Sequence, residues 1–233
     1  RLIAGNWKMF LDLRGAIQLA TGLKRELADV EDVDLAVFPP FPFLPDVAEV
    51  LRETGIAVGG QNLSHKPQGA LTGEVAGPML VSVGCTRALV GHSERRDGFA
   101  ETDDVCNAKL RAALDAGLLP ILCVGEHLPE RKAGQHEAVV TAQVRGSLKS
   151  FTPEEVERMT IAYEPVWAIG TGETATPEQA NAMHGCIRRL VGELFGSVLA
   201  SSTRILYGGS VKPENASSLL DEPEIDGALV GGA

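Results

Sequence analysis

The sequence lacks several features that would point to particular classes of protein. Its four cysteines form no Cys-x-x-Cys pair, and no set of cysteines and histidines has the spacing of zinc ligands. No apolar run is long enough to span a membrane, and the amino terminus has no signal-peptide core. These absences predict a soluble, cytoplasmic protein with reduced thiols, no metal, no cofactor and no membrane partner.

Basic charge is also scarce. The chain has 21 Lys and Arg residues against 31 Asp and Glu residues, for a net charge of −10. No cluster of basic residues suggests contact with a phosphate backbone, so nucleic-acid binding is not expected. An acidic protein that binds an anion must build a local positive site, which gives weight to any lysine or helix amino terminus at a pocket.

Short apolar runs alternate along the chain with longer segments of helical period. The runs are apolar at most positions, as in parallel strands covered by helices on the outside. The predicted strands are residues 2–5, 34–38, 57–61, 87–91, 119–125, 160–164, 204–208 and 227–231. The predicted helices are residues 15–27, 44–52, 103–116, 137–148, 177–195 and 213–220.

Eight strands with helical crossovers predict a single α/β domain, residues 1–233, folded as a (βα)8 barrel. An open doubly wound sheet would need a glycine-rich fingerprint after the first strand, where the sequence instead reads Gly5-Asn6-Trp7-Lys8. The chain ends at Ala233, directly after the eighth predicted strand. We therefore expect the barrel's final helix to be absent from the given chain.

Chemically active residues collect where the predicted strands end, which is where barrels of this kind carry their active sites. They are Asn6 and Lys8 after the first strand, His92-Ser93-Glu94 after the fourth, Glu164 after the sixth, and the pairs Gly208-Gly209 and Gly231-Gly232 after the seventh and eighth. Double glycines at the last two strands are typical of phosphate sites built from backbone N–H groups.

A glutamate after a strand is usually a solvated loop residue, but Glu164 precedes an apolar loop that ends in glycines. Such a loop is costly as permanent surface and is better explained as a lid that packs over a ligand. The predicted lid residues are Pro165, Val166, Trp167, Ala168, Ile169, Gly170, Thr171 and Gly172.

The other candidates also have ordinary interpretations. A histidine at a strand end is more often structural, but Ser93 and Glu94 can begin a helix there, and the helix dipole would disfavour a charged His92. His-x-Glu also occurs in zinc deaminases, but the Pro-Cys-x-x-Cys partner is absent. Lys8 at a barrel mouth could hold negative charge, whereas Cys123 in a buried strand is best explained by core packing.

Four segments together resemble the triosephosphate isomerase family. They are Ala4-Gly5-Asn6-Trp7-Lys8-Met9, Gly91-His92-Ser93-Glu94-Arg95-Arg96, the stretch from Ala162 to Gly172, and Tyr207-Gly208-Gly209-Ser210-Val211. The resemblance implies interconversion of dihydroxyacetone phosphate and glyceraldehyde 3-phosphate in glycolysis and gluconeogenesis, without a cofactor.

The resemblance also implies a role for each candidate residue. Glu164 would be the base, and His92 would polarise the carbonyl and relay protons. Lys8 and Asn6 would stabilise the developing oxyanion, with support from Glu94. The implied phosphate-binding residues include Gly170, Ser210, Gly231 and Gly232.

The loop 61–74 has no helix or strand period, and on composition alone it would be a mobile surface loop. The resemblance implies instead that it forms a homodimer contact, with Thr72 near the partner's active site and Glu74 paired with the partner's Arg95.

Two alternative functions of the protein stay open. A Schiff-base aldolase would need a lysine where Glu164 stands, and an inactive barrel serving as an interaction protein would not need Lys8, His92 and Glu164 intact.

Overall fold

The computed structural model describes residues 1–169 and 173–232, and it contains a closed barrel of eight parallel strands. Each strand pairs with the next in sequence, and β8 returns to pair with β1 in the register Asn6↔Gly231. This confirms the predicted (βα)8 barrel and excludes the open sheet. The strands are β1 Leu2–Asn6, β2 Asp34–Phe38, β3 Ile56–Gly60, β4 Arg87–Val90, β5 Leu119–Val124, β6 Thr160–Tyr163, β7 Ile205–Tyr207 and β8 Gly227–Gly231.

Helices pack around the outside of the barrel. Those of the described residues are α1 Leu13–Glu26, α2 Leu44–Leu51, α3 Gly77–Ser82, α4 Ser93–Phe99, α5 Asp103–Asp115, α6 Leu128–Lys132, α7 His136–Ser147, α8 Pro153–Val156, α9 Pro177–Phe195, α10 Ser197–Ser202 and α11 Pro213–Leu220. All six predicted helices are confirmed, with ends within two residues of those predicted. The start of α4 at Ser93 agrees with the helix expected after His92, whereas the short helices α3, α6 and α10 were not predicted, because five or six residues are too few to show a helical period.

Two of the helix starts show why these segments are helical. The hydroxyl of Thr176 accepts from the N–H of Gln179, whose side chain accepts in return from the N–H of Thr176. Thr152 and Glu155 make the same reciprocal pair at the start of α8. Each of these reciprocal pairs is a capping box, and it satisfies two backbone N–H donors that the helix itself leaves unpaired.

The apolar core has two layers, one between the strands and the helices and one inside the barrel. The inner layer consists of Leu2, Ala4, Ala36, Phe38, Leu89, Ile121, Cys123, Ala162, Leu206 and Leu229. Side chains on a strand alternate between its two faces. Since Leu2 and Ala4 point inward from β1, the next inward position is Asn6, and the next after Ala162 is Glu164. The period of the strands therefore brings both polar side chains to the carboxyl-terminal mouth of the barrel.

Across residues 1–169 and 173–232, no helix combines the length and the apolar character needed to cross a lipid bilayer.

A buried histidine links α9 to the barrel. The His184 side chain is fully buried, and its ring lies 5.9 Å from that of Tyr163, edge to face, and 6.4 Å from that of Tyr207. Its Nδ1 donates to the carbonyl of Glu224 at 3.3 Å. Burial lowers the pKa of His184 to about 4, because the apolar surroundings disfavour the charged form.

We expect His184 to make the fold sensitive to acid. It is neutral in the folded state, whereas in the unfolded chain it protonates near pH ~6.5. Its contribution is therefore complete above that pH and is lost as pH falls toward 4, by up to about 1.4 kcal/mol for each pH unit. His184→Gln should flatten the dependence of unfolding free energy on pH between these values, measured by urea denaturation. The exposed His65→Gln is the control, and an equal slope in wild type and H184Q would contradict the assignment.

Candidate active site

Three buried polar residues, Asn6, His92 and Glu164, line one cavity at the carboxyl-terminal mouth of the barrel. Its volume is about 260 Å³, and its lining consists of Asn6, Lys8, His92, Glu164, Ile169, Gly208, Gly209, Ser210, Val211, Leu229 and Gly231. A larger groove of about 770 Å³ runs along α2 and β3, but there Glu49 and Arg52 pair with each other on the surface. The smaller cavity is the candidate site, since a buried glutamate, Glu164, and a buried histidine, His92, line it.

Glu164 follows β6, and its carboxylate is 2 % exposed. Its Oε1 lies 2.9 Å from Nε2 of His92, and its Oε2 accepts from the N–H of Ser93 at 2.8 Å. Two glycines allow this placement: a Cβ at Gly125 would lie 1.7 Å from the Glu164 carbonyl oxygen, and one at Gly208 would lie 2.9 Å from its Cγ. The carboxylate is thus desolvated but held by a donor on each oxygen.

His92 is the N-cap residue of α4, as the sequence predicted. Its Nδ1 accepts from the N–H of Glu94 at 3.3 Å, so this nitrogen carries no proton and Nε2 donates to Glu164. Burial lowers the pKa of His92, but the charge and hydrogen bond of Glu164 outweigh it and hold the pKa above its ordinary value. The helix terminus therefore sets the tautomer, while the carboxylate controls the affinity for a second proton.

Lys8 and Asn6 lie together at the end of β1. The Lys8 backbone is left-handed, with φ at 53°, and its N–H donates to Oδ1 of Asn6 at 2.9 Å. The ammonium donates to Glu94 at 2.7 Å, a contact consistent with the supporting role expected of Glu94. Gln61, which the sequence did not single out for this role, donates to the carbonyls of Lys8 at 2.7 Å and Phe38 at 2.9 Å. It supports the uncommon backbone conformation of Lys8.

Gly208 and Gly209 after β7 and Gly231 at the end of β8 form a glycine wall of the cavity, to which Ser210 also belongs. The N–H of Gly232 donates to the carbonyl of Asn6 at 3.0 Å, so the β1–β8 pairing occupies it. Of the predicted phosphate and lid residues, Gly170, Thr171 and Gly172 lie outside the described residues.

The first part of the predicted lid rests on a buried glutamate. Residues Val166–Ala168 form a 3₁₀ helix, and the indole N–H of Trp167 donates to Glu126 at 2.8 Å. The hydroxyl of Tyr163 donates to the same oxygen at 3.1 Å, and Arg131 lies 3.5 Å from it and 5.4 Å from the Trp167 ring. Sequence reasoning missed Glu126, although an acid directly after a buried strand was the available signal.

The remaining candidates divide into two groups. Ser93 supports Glu164 directly, whereas the Cys123 side chain belongs to the apolar interior of the barrel, where burial raises its pKa. Thr72 and Glu74 are exposed, and Arg95 pairs with Glu101 of the same chain. Within the part of the chain that the structure describes, no group of three or more His, Cys, Asp or Glu residues is arranged to hold a metal ion.

Comparison with known proteins gives a consistent result. The family model described as triosephosphate isomerase matches residues 1–233. Proteins named triosephosphate isomerase from Chloroflexus aurantiacus and Roseiflexus sp. (strain RS-1) are each 53% identical over 232 residues, which cover 100% of this chain and 93% and 91% of the relatives. The protein of that name from Herpetosiphon aurantiacus is 50% identical over 232 residues, with 100% and 93% covered.

The contacts of His92 predict how its protonation responds to substitution. Glu164→Gln removes the negative charge that raises the pKa of His92, so that burial dominates and the pKa falls. Titration of the imidazole signals by NMR measures the change. Glu94→Gln should lower the pKa less, since Glu94 is half exposed and 3.8 Å from Nδ1. A pKa that stays constant in E164Q would contradict the pairing.

Proposed function

The chain belongs to the triosephosphate isomerase family, and we propose that Glu164 and His92 move the protons of its reaction. It is an isomerase that interconverts dihydroxyacetone phosphate and D-glyceraldehyde 3-phosphate, a reaction of glycolysis. One observation carries the proposal: a buried carboxylate lies 2.9 Å from an imidazole in a cavity that Lys8 and Asn6 also line. A Schiff-base aldolase has no support, because Glu164 stands where its lysine would be.

Glu164 acts as the base. It removes a proton from the carbon next to the carbonyl, which leaves an enediolate, and then returns the proton to the neighbouring carbon. Such a carbon acid is far weaker than a carboxylic acid, so a base contributing roughly 10²–10⁴-fold is not sufficient. Stabilisation of the enediolate must supply several kcal/mol more. The Glu164 carboxylate is shielded from water, which suits this task. Its present hydrogen bonds, from the N–H of Ser93 and from Nε2 of His92, can be replaced by contacts with the substrate.

His92 and Lys8 stabilise the charge that forms on oxygen. The Nε2–H of His92 is directed toward the cavity, where it can donate to the substrate carbonyl and carry a proton between the two oxygens. Lys8, with its ammonium, and Asn6, with its amide, line the same cavity. Glu94 keeps the ammonium in place through its 2.7 Å bond. These groups are fixed before substrate arrives, so little reorganisation accompanies the reaction.

The phosphate of the substrate binds at the glycine wall. Backbone N–H groups at a turn bind anions without placing a full charge there. Ser210 and Gly231 line the cavity, and Lys8 supplies positive charge in a protein of net charge −10. Gly170 completes this set, and Gly232 joins it if its bond to Asn6 opens. Closure of residues 165–176 would exclude water and hold the phosphate against elimination from the enediolate.

The buried, unpaired thiols support a cytoplasmic location, where cysteines stay reduced.

Activity measurements test the base. Glu164→Gln keeps the shape of the side chain but removes its basicity, so kcat should fall by at least ~10²-fold with little change in KM. Glu164→Asp withdraws the carboxylate by roughly 1 Å and should lose about 10²-fold. A coupled assay with glyceraldehyde 3-phosphate measures both. If E164Q kept more than a tenth of wild-type turnover, Glu164 would not be the base. If the wild-type chain itself had no isomerase activity, the alternative of an inactive barrel that serves as an interaction protein would be favoured.

We also propose that the protein forms a homodimer through the loop 61–74. Residues 65–74 are exposed throughout, although the loop begins on the buried Asn62 and Leu63. Exposed apolar side chains follow three of the strands: Met9 and Phe10 after β1, Leu71 and Met79 after β3, and Phe99 after β4. A group of large apolar side chains of this kind is typical of an interface. The family resemblance puts Thr72 beside the partner's Lys8.

Thr72→Arg should dissociate the dimer, because it adds a bulky charge next to another cation. We expect monomers with turnover reduced at least tenfold, since each site would lose the loop that braces it. Sedimentation and assay on the same sample measure both effects. Thr21→Arg, at an exposed position on α1, is the matched control and should stay dimeric. A fully active monomer of T72R would show that the loop braces nothing.

A further inference from the structure

Arg96, on α4, makes contacts that join three parts of the chain behind the active site. Its Nε donates to the carbonyl of Gly91 at 2.8 Å, its Nη2 to the carbonyl of Cys123 at 3.2 Å, and its Nη1 to Asp103 at 2.7 Å. The side chain is 14 % exposed. A guanidinium has donors that point in several fixed directions, so it can satisfy all three acceptors at once.

The two carbonyls lie just past the place where β4 and β5 stop pairing. The last pair of that ladder is Val90↔Leu122. Successive carbonyls on a strand point to opposite sides, and Val124 accepts from the N–H of Glu164 on the β6 side at 2.7 Å. The carbonyl of Cys123 therefore turns toward β4. Arg96 continues the link between the two strands where the backbone no longer makes it.

Arg96 also binds the backbone on both sides of the His92 Cα. The backbone N–H of Arg96 donates to the carbonyl of His92 at 3.1 Å, while its side chain holds the preceding carbonyl, that of Gly91. Gly91 has φ at 72°, and a Cβ there would lie 3.0 Å from Nη2 of Arg96 and 2.7 Å from the sulfur of Cys106. A glycine is thus needed for this close approach.

We propose that Arg96 is a positioning residue, which fixes the direction of the His92 imidazole relative to Glu164. The inference rests on the proposed roles of these two residues. Arg96 binds the carbonyl of Gly91, which precedes His92, and the carbonyl of His92 itself. Its bond to the carbonyl of Cys123 connects this segment to β5, the strand next to β6, and Glu164 follows β6. Asp103, the first residue of α5, anchors the guanidinium, and its Cβ packs 2.8 Å from where a Cβ of Gly146 would lie.

Substitution of Arg96 by methionine removes the three side-chain bonds and keeps the apolar stem. A misplacement of about 1 Å can cost about 10²-fold, so we expect kcat of Arg96→Met to fall roughly 10–100-fold, with KM within about threefold of wild type. Arg96→Lys can still reach one carbonyl and should recover part of the loss. The ¹⁵N shifts of His92 should report one tautomer in wild type and a mixture in R96M.

Arg188→Met is the matched control. Arg188 is 19 % exposed and binds the carbonyls of Ala200 and Thr203 together with Glu224 and Asp226, away from the cavity. Its replacement should lower the melting temperature and leave kcat and the His92 shifts unchanged. A kcat for R96M within twofold of wild type, or an equal loss in R188M, would overturn the positioning role.

Two further variants keep the test decisive. If R96M does not fold, Asp103→Asn weakens the anchor of Arg96 without removing it and should give a smaller fall in kcat with the same mixture of tautomers; unchanged values would overturn the inference. Glu164→Gln, assayed in parallel, separates the two proposals. An active E164Q would remove the proposed base, whereas an inactive E164Q beside a fully active R96M would contradict the role of Arg96 alone.

Discussion

Closure of the barrel is the constraint on which every other feature of this molecule depends. Because all eight strand pairs are parallel and β1 pairs with both β2 and β8, the carboxyl ends of the strands form one closed rim. The alternation of side chains then continues from the apolar interior to the mouth, where Asn6 and Glu164 take the next inward positions. Groups far apart in sequence thus share one cavity without any long-range feature of the sequence that specifies their contact.

Charge in that cavity is balanced by donors that the same rim provides. A buried carboxylate is expensive unless its oxygens are satisfied, and Glu164 receives one bond from Ser93 and one from His92. Both donors come from the start of α4, which also supplies Glu94 as the partner of Lys8. A single helix amino terminus therefore organises Glu164, His92 and Lys8, so in the proposed mechanism the contacts that hold α4 in place would also affect the chemistry.

The sequence was sufficient for the strands, the long helices and the placement of Asn6, Lys8, His92 and Glu164 at one end of the barrel, because these depend on local period and on position at strand ends. It was insufficient where function depends on a contact between distant segments. Gln61 supports Lys8 and Arg96 bridges Gly91 and Cys123, yet neither side chain stands out locally. Glu126, which holds Trp167, stands out only as an acid after a buried strand, and its partner lies far away in the sequence. The predicted direction of the His92 pKa shift was wrong: the helix terminus, which disfavours the charged form, is visible in the local sequence, whereas the contact with Glu164, which raises the pKa, is not.

The contact between Trp167 and Glu126 would set an energetic threshold for closure of the proposed lid. Hydrogen bonds to a charged group contribute about 1.5–3 kcal/mol, and any closure that moves the indole away must first give up this 2.8 Å bond. Tyr163 and Arg131 stay beside Glu126 in that case and limit the cost of leaving its carboxylate buried. The phosphate, which takes no part in the bond changes, can supply the compensating free energy through backbone N–H groups. Phosphate binding at the glycine wall would then drive the exclusion of water from the part of the cavity that Glu164 and His92 line. In the proposed mechanism, proton transfer between these residues and the substrate requires that water be excluded.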